Sequence, residues 1–377
     1  MLRLTRRAFS STPSPRVAVV GSGPGGFYTA KYLLRDSKNV HVTILDRWPT
    51  PFGLVRYGVA PDHPEVKSVQ DDFEEVATSE RFSYAGHVFV GHPADAPSHT
   101  GPVVPLNDLM NLYDAVVVAT GCDLARKLDL PGAELEGVVN ARAFVGWYNA
   151  EPTFSHLQLP DVSDQLRSVI IGHGNVALDC ARLLAAPSSH LDATDIHSTA
   201  FEALQRLPSK RLIHVVGRRG ATQAAFTTKE VRELTELENA ALVIDPAELE
   251  AGDTEASIEE GKARPLKRKR KFLDQASRRP GGDLRPGRQS RRARLRRSGW
   301  VKRGPTGIVG SNVADARETA AAVLEDLAAS GVAGYGEGTS WADWRRIDGV
   351  EKANARNGAP RAKFSDVEGM LDAAKSS

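Results

Sequence analysis

The chain has 377 residues, 41% of them apolar and 25% charged, which suits a globular protein of about two domains and leaves no apolar run long enough to span a membrane. Its two cysteines, Cys122 and Cys180, lie 58 positions apart, so no internal redox dithiol, zinc site or other metal centre is expected. Two thiols also cannot hold an iron–sulfur cluster in the usual way, so any such cluster in its chemistry must belong to a partner.

The first sixteen residues contain four Arg, three Ser and no acid, and the first acidic residue is Asp36. That composition reads as a mitochondrial presequence over residues 1–15, with a basic tail of no address as the plainer alternative. Arg16 to Val20 is a short β-branched run that predicts a buried strand. It enters Gly21-Ser22-Gly23-Pro24-Gly25-Gly26 and then a helical stretch from Phe27 to Leu34. Gly21, Gly23 and Gly26 fit GxGxxG: one glycine for the turn, one for approach of a pyrophosphate, one for close helix–strand packing. The helix start then offers unpaired N–H groups to phosphate. A second strand, Val40 to Leu45, ends at Asp46, placed to grip ribose hydroxyls and to repel a 2′-phosphate. The first site should therefore hold FAD or NAD. A further apolar strand, Tyr113 to Gly121, ends in Thr-Gly and is similar to the ATG motif of flavoproteins with two dinucleotide sites.

Ser168 to Ile171 is again a strand, followed by Gly172-His173-Gly174-Asn175-Val176-Ala177 and a helix through Ala186. This is GxGxxA, a close variant of the same fingerprint, and two such units imply two nucleotides facing each other. A polar insertion, Pro187 to Lys210, precedes the strand Leu212 to Val216. That strand ends in Gly217-Arg218-Arg219-Gly220, two guanidinium groups where an NAD site would place an acid, so the second site should prefer NADP(H).

Residues 262–303 carry 18 Lys/Arg against 2 Asp/Glu, a local +16 that leaves −14 for the rest of a chain of net charge +2. Only Phe272 interrupts the block before Trp300, so base stacking is not indicated and nucleic acid is not the expected partner. An anionic membrane surface is the other reading of that charge, as peripheral attachment to the inner membrane.

Several stretches go beyond a generic nucleotide fold: FGLVRYGVAPDHPEVK from Phe52, ARAFVGWYN from Ala141, GNVALD from Gly174, GRRG from Gly217, SGWVKRGPTG from Ser298 and FSDVEGML from Phe364. In sequence and order they resemble the adrenodoxin reductase family of mitochondrial ferredoxin–NADP⁺ reductases. The resemblance runs from Arg16 to about Arg270 and from Ser298 to the end. It implies an α/β protein of two nested Rossmann-like domains, for FAD and for NADP, the second incomplete. Their expected bounds are 16–125 with 299–377 for FAD and 126–261 for NADP, with 262–298 a basic, disordered segment. It also implies electron transfer from NADPH through FAD to a [2Fe-2S] ferredoxin in the mitochondrial matrix.

Carried over by position, Gly25, Asp46, Leu54 and Val90 would line FAD, and Trp300, Gly307, Ile308 and Val309 would meet the flavin from the carboxy-terminal return. Residues His173 to Val176, with Arg218, Arg219 and Glu230, would bind NADPH. Arg232, Arg264 and Arg268 would dock an acidic ferredoxin. His63 and Asp179 would stand on the flavin side, either in proton or electron flow or as polar groups that orient the loop. The sequence departs from the family in having His173 where Gln is usual. It departs further between Arg270 and Ser298, where on the order of a hundred residues of expected fold are absent. That loss suggests weak FAD binding and poor ferredoxin reduction. The alternatives are a shortened, inactive form or another two-nucleotide flavoprotein, such as the electron-transfer subunit of an amidotransferase.

Overall fold

The computed structural model describes residues 14–122, 125, 128–217, 223–238, 240–244, 250, 254–260, 269, 271–273, 295–298, 309–327, 338–356 and 358–375. The first unit is built on a parallel five-stranded sheet. Its strands are β1 (Arg16–Val20), β2 (His41–Leu45), β3 (Phe82–Ala85), β6 (Ala115–Val118) and β9 (Leu295–Arg297), in the order β3-β2-β1-β6-β9. A separate parallel pair, β4 (Phe89–Val90) and β5 (Val103–Val104), lies beside it in the chain.

Alternation along β1 explains the layering. Val17 and Val19 face one core with helix α1 (Pro24–Asp36), while Ala18 and Val20 face another with Leu45, Val88 and Leu109. Helices α2 (Leu54–Tyr57), α3 (Pro64–Lys67) and α4 (Val69–Ala77) follow β2, and α5 (Leu106–Leu112) follows β5. Carboxy-terminal helices complete the first core. Ala316, Ala320, Val323 and Leu327 of residues 312–327, Trp344 and Ile347 of 341–353, and Met370 of 367–375 all pack into it.

The second unit has α6 (Ala141–Tyr148), β7 (Gln165–Ile171), α7 (Asn175–Ala185), α8 (Ser188–Asp192), α9 (Ser198–Gln205), β8 (Lys210–Val216) and α10 (Thr228–Glu236). The insertion between α7 and β8, read as polar from sequence, contains α8 and α9 and buries Leu191, Ile196, Phe201 and Leu204. Among the described residues its sheet is two-stranded. Ile170, Ile213 and Val215 pack against helices, while Val169, Ile171, Leu212 and Val216 on the other face are 43–62% exposed.

The expectation of disorder over 262–298 needs correction at both ends of that segment. Leu273 is buried in the second core and Phe272 packs against it. Leu295–Arg297 pairs in parallel with β6, and Ser298 is buried. A strand edge recruits backbone N–H and C=O groups, so an arginine-rich sequence can join it without apolar periodicity. That periodicity was the signal whose lack suggested disorder.

Candidate nucleotide and electron-transfer site

At the first fingerprint, Gly21 has φ +107°, and a Cβ there would lie 2.5 Å from Ala119 O. Only glycine takes that turn and that proximity without strain. At Gly26 a Cβ would come within 1.9 Å of Gly21 O, so the third glycine lets α1 pack on its own turn. Gly23 is the N-cap of α1 and provides no side-chain cap, and a Cβ there would meet only Gly53 Cα, at 4.0 Å. The helix start carries no side-chain cap and is thus open to an anion. Asp46 sits at this turn: its Oδ2 accepts from Ser22 N (2.7 Å) and Ser22 Oγ (2.6 Å), and its Oδ1 from Trp48 N (2.9 Å). Gly25 O accepts from Thr29 Oγ1 (2.7 Å) and from Ser298 Oγ (3.2 Å), so the carboxy-terminal return reaches the fingerprint helix. Val90 is half-buried on β4, Leu54 opens α2, and Val309 opens a short turn against the first core. Trp300, Gly307 and Ile308 lie outside the described residues.

The second fingerprint repeats the design. Gly172 has φ +120°, and Gly174 caps α7 without a side-chain bond. His173 is buried against Gly217, where any Cβ would collide with its imidazole, and edge-on to Phe226 at 6.2 Å. The histidine at this position thus fills the space over the end of β8. Asn175 Oδ1 accepts from Thr227 N (2.9 Å), while the Val176 side chain is exposed. Arg218 and Arg219 follow β8 but lie outside the described residues. Both open helix starts and both glycine cradles fit dinucleotide phosphates. The acid at the first site favours an unphosphorylated ribose, as in FAD.

Between the two cores runs the stretch Phe52 to Lys67. Phe52 and Val55 belong to the first core, and Ala60 to the second. Phe52 has φ +84° and Gly53 φ +50°, and this turn presses on Gly23. A non-glycine residue held there signals a conformation imposed by its surroundings. Phe52 is gripped by Phe27, Phe73, Trp341 and Trp344, with ring centroids 5.5–6.1 Å apart.

The same stretch delivers Asp62 and His63 to α7 and α10. His63 Nε2 is 2.9 Å from Glu233 Oε2, and its Nδ1 is 3.9 Å from Asp179 Oδ1. Arg182 binds Asp62 bidentately (2.6 and 2.9 Å), Asp179 at 2.8 Å, and Glu233 and Glu230 at 3.4 and 3.5 Å. Burial pushes Glu230 up to about 7, with Asp179 and Glu233 adding to the rise and His63 and Arg182 opposing it. Burial likewise raises Asp179. Desolvation pushes Asp62 up, but the hydrogen bonds from Arg182 and His190 and the charges of Arg182 and His63 together outweigh it and hold Asp62 well below the carboxylate range.

The structure therefore brings His63, Asp179 and Glu230 together, although Glu230 was expected at the nucleotide. Asp62, Arg182 and Glu233 join them without having been singled out. Arg182 and Glu233 follow Asp179 and Glu230 by three positions, and that helical spacing was the available signal. One ligand atom each of His63, Asp179 and Glu230 lies within 4.8 Å of the others, a spacing that suits a cation, but the Arg182 guanidinium already neutralises Asp179. A cavity of about 510 Å³ opens beside the group, lined in part by His63, Arg182, His190 and Glu233. Of the expected docking arginines, Arg232 is exposed on α10 with its guanidinium 5.4 Å from the Phe272 ring centre, and Arg264 and Arg268 lie outside the described residues.

Two open fingerprints joined by one bridging stretch define an oxidoreductase of the two-dinucleotide class, and residues 15–214 match the pyridine nucleotide-disulphide oxidoreductase family. The NADPH:adrenodoxin oxidoreductase of Bos taurus mitochondria is 34% identical over 466 residues, taking in 95% of this chain and 92% of the relative. That alignment is longer than the chain, so the bovine protein carries internal stretches with no counterpart here. The probable NADPH:adrenodoxin oxidoreductase of Schizosaccharomyces pombe is 44% identical over 275 residues, 72% of this chain and 55% of the relative. The solved structure of Mycobacterium tuberculosis FprA in complex with NADPH superimposes with a TM-score of 0.82 at 31% identity, over 96% of this chain and 100% of that one. The chain belongs to the adrenodoxin-reductase-type family of NADPH-dependent reductases.

Proposed function

We propose that this chain is an NADPH:ferredoxin oxidoreductase of mitochondria that passes electrons from NADPH through FAD to a [2Fe-2S] ferredoxin. FAD and NADP(H) are the cofactors, and bound FAD would supply the exchange between two-electron chemistry with NADPH and one-electron chemistry with the partner. Gly21, Gly23, Gly25, Gly26 and Asp46 would hold the FAD phosphates and ribose, with Leu54 and Val90 beside it. Trp300, Gly307, Ile308 and Val309 would close that site. Gly172, His173, Gly174, Asn175 and Val176 would hold the NADPH pyrophosphate, and Arg218 and Arg219 its 2′-phosphate. We assign residues 16–125 and 299–377 to the FAD unit and 126–261 to the NADP unit. In support, helices of 312–375 share the core of the first sheet. Residues 1–15 would direct the chain to the mitochondrion.

One observation carries the reading. The Phe52–Lys67 stretch spans both cores and touches the first fingerprint at Gly53 and the second unit's helices at His63. His63, fixed between Glu233 and Asp179, can hold a proton at either ring nitrogen while Arg182 balances the surrounding carboxylates. No nucleophile is required. Proximity and orientation of the two nucleotides supply the rate.

Arg232, Arg264 and Arg268 would steer an acidic partner. The purified chain, supplied with FAD and NADPH, should reduce a small acidic [2Fe-2S] ferredoxin. The association rate should fall steeply as salt rises, because charges separated by more than about 10 Å are screened at 0.1 M. A rate independent of salt would remove the electrostatic docking, and no ferredoxin reduction at any salt would remove the function.

A further inference from the structure

A second buried polar cluster, outside the His63 group, ties three parts of the chain together. Lys363 lies between the helix Trp341–Ala353 and the helix Val367–Lys375, and its side chain is 1% exposed. Its Nζ donates to Arg56 O (3.0 Å) and to Asn149 Oδ1 (3.1 Å), and lies 3.0 Å from Asp195 Oδ2. An ammonium has three donors, and here each meets one acceptor. The acceptors come from different places. Arg56 follows the Phe52–Gly53 turn against the first fingerprint, Asn149 ends α6, and Asp195 lies between α8 and α9 of the second unit.

The surroundings make this a fixed junction. Lys67 Nζ pairs with Asp195 Oδ1, and Asn149 Nδ2 donates to Val59 O at 3.0 Å. Arg56 forms a buried bidentate pair with Glu351, whose carboxylate also accepts from Phe364 N (2.9 Å) and whose carbonyl accepts from Ala362 N (2.7 Å). The carboxy-terminal strap is therefore locked to the flavin-side turn one residue on either side of Lys363. Burial lowers Lys363 well below the ordinary lysine range, with Lys67 and Arg56 lowering it further and Asp195 opposing them. A second buried lysine on Asp195 is a costly choice for stability alone, since Lys67 already pairs with that carboxylate.

We propose that Lys363 is a positioning residue for hydride transfer: by holding Arg56 O, Asn149 Oδ1 and Asp195 Oδ2 at once, it sets the spacing between the flavin-side turn and the nicotinamide-side unit. The inference rests on the proposed function for its consequence, but the spacing itself can be measured without any nucleotide. Lys363→Met keeps the aliphatic stem, removes the three donors and leaves the Lys67–Asp195 pair. Asn149→Ala removes one acceptor and serves if Lys363→Met does not fold.

Two measurements decide the matter. In the first, FAD content, NADP⁺ affinity and anaerobic flavin bleaching at saturating NADPH are compared with the parent chain. Each nucleotide should bind within about threefold of the parent, while the saturating rate falls on the order of ten- to a hundredfold, the sensitivity expected of a misplacement near 1 Å. In the second, spin labels at exposed Glu75 and Glu202 (Glu75→Cys, Glu202→Cys, with Cys122→Ser) report the distance between the units without cofactor. The parent should give one narrow distribution and Lys363→Met a broad or displaced one. An unchanged rate and distribution with only a lower Tm would overturn the inference, and so would a parallel loss of both nucleotides. If the parent chain itself is not bleached by NADPH, the functional reading fails, and the distance measurement still decides whether Lys363 sets the spacing.

Discussion

Glu230 shares its surroundings with Asp179, Glu233, the His63 ring and the Arg182 guanidinium, where burial penalises its charged form. Its value of about 7 in the folded chain stands above the ordinary 4.5. Between those pH values the folded protein keeps a proton that the unfolded chain has released, so this contribution to stability is full below 4.5 and is lost as pH rises through 7. Glu230→Gln should flatten that part of the profile and stabilise the protein at pH 8 by on the order of 1 kcal/mol, after discounting for solvent screening. Urea unfolding at pH 5 and pH 8 measures it, and equal pH slopes for variant and parent would count against the assignment. Arg218→Ala with Arg219→Ala should weaken NADPH binding by about 1.5–3 kcal/mol for each charged hydrogen bond lost and leave NADH nearly unaffected. An equal loss for both nucleotides would mean that the pair does not read the 2′-phosphate.

At the scale of elements, the β7–β8 pair exposes Val169, Ile171, Leu212 and Val216 on one face. Such a face usually packs against another layer, and uncovered it invites association. Val169→Thr with Ile171→Lys should change unfolding free energy by no more than about 0.5 kcal/mol and raise the concentration at which the protein stays monomeric by light scattering. A large destabilisation would show that something covers this face. The strands and fingerprints were legible because Arg16–Val20 and Ser168–Ile171 are β-branched runs entering glycine turns, a signal local in sequence. Strand β9 was not, because Leu295–Arg297 joins the sheet through backbone bonds that leave no apolar pattern. Helices α8 and α9 were hidden within a stretch whose apolar residues are diluted by polar ones. Helical spacing from Asp179 and Glu230 pointed to Arg182 and Glu233, but their meeting with Asp62 left no local signal, since the members lie up to 171 positions apart and join only by tertiary packing.

At the scale of the whole molecule, the expected weakness in FAD binding rested on the loss of the sheet that returns the chain to the flavin. Strand β9 and buried Ser298, bonded to Gly25 O and Thr29 Oγ1, supply such a return, and the carboxy-terminal helices fill the first core. Among the described residues the sheet of the second unit has two strands. The account therefore expects FAD to be kept and NADPH to be the more loosely held of the two. The most direct test is an anaerobic titration of the FAD-loaded chain with NADPH after gel filtration, followed in the flavin absorbance band. Near-stoichiometric flavin, bleached by about one equivalent of NADPH and far more slowly by NADH, is the predicted result for two facing dinucleotide sites of opposite phosphate preference. Flavin that washes away, or flavin that stays and is not bleached by either nucleotide, would contradict the account.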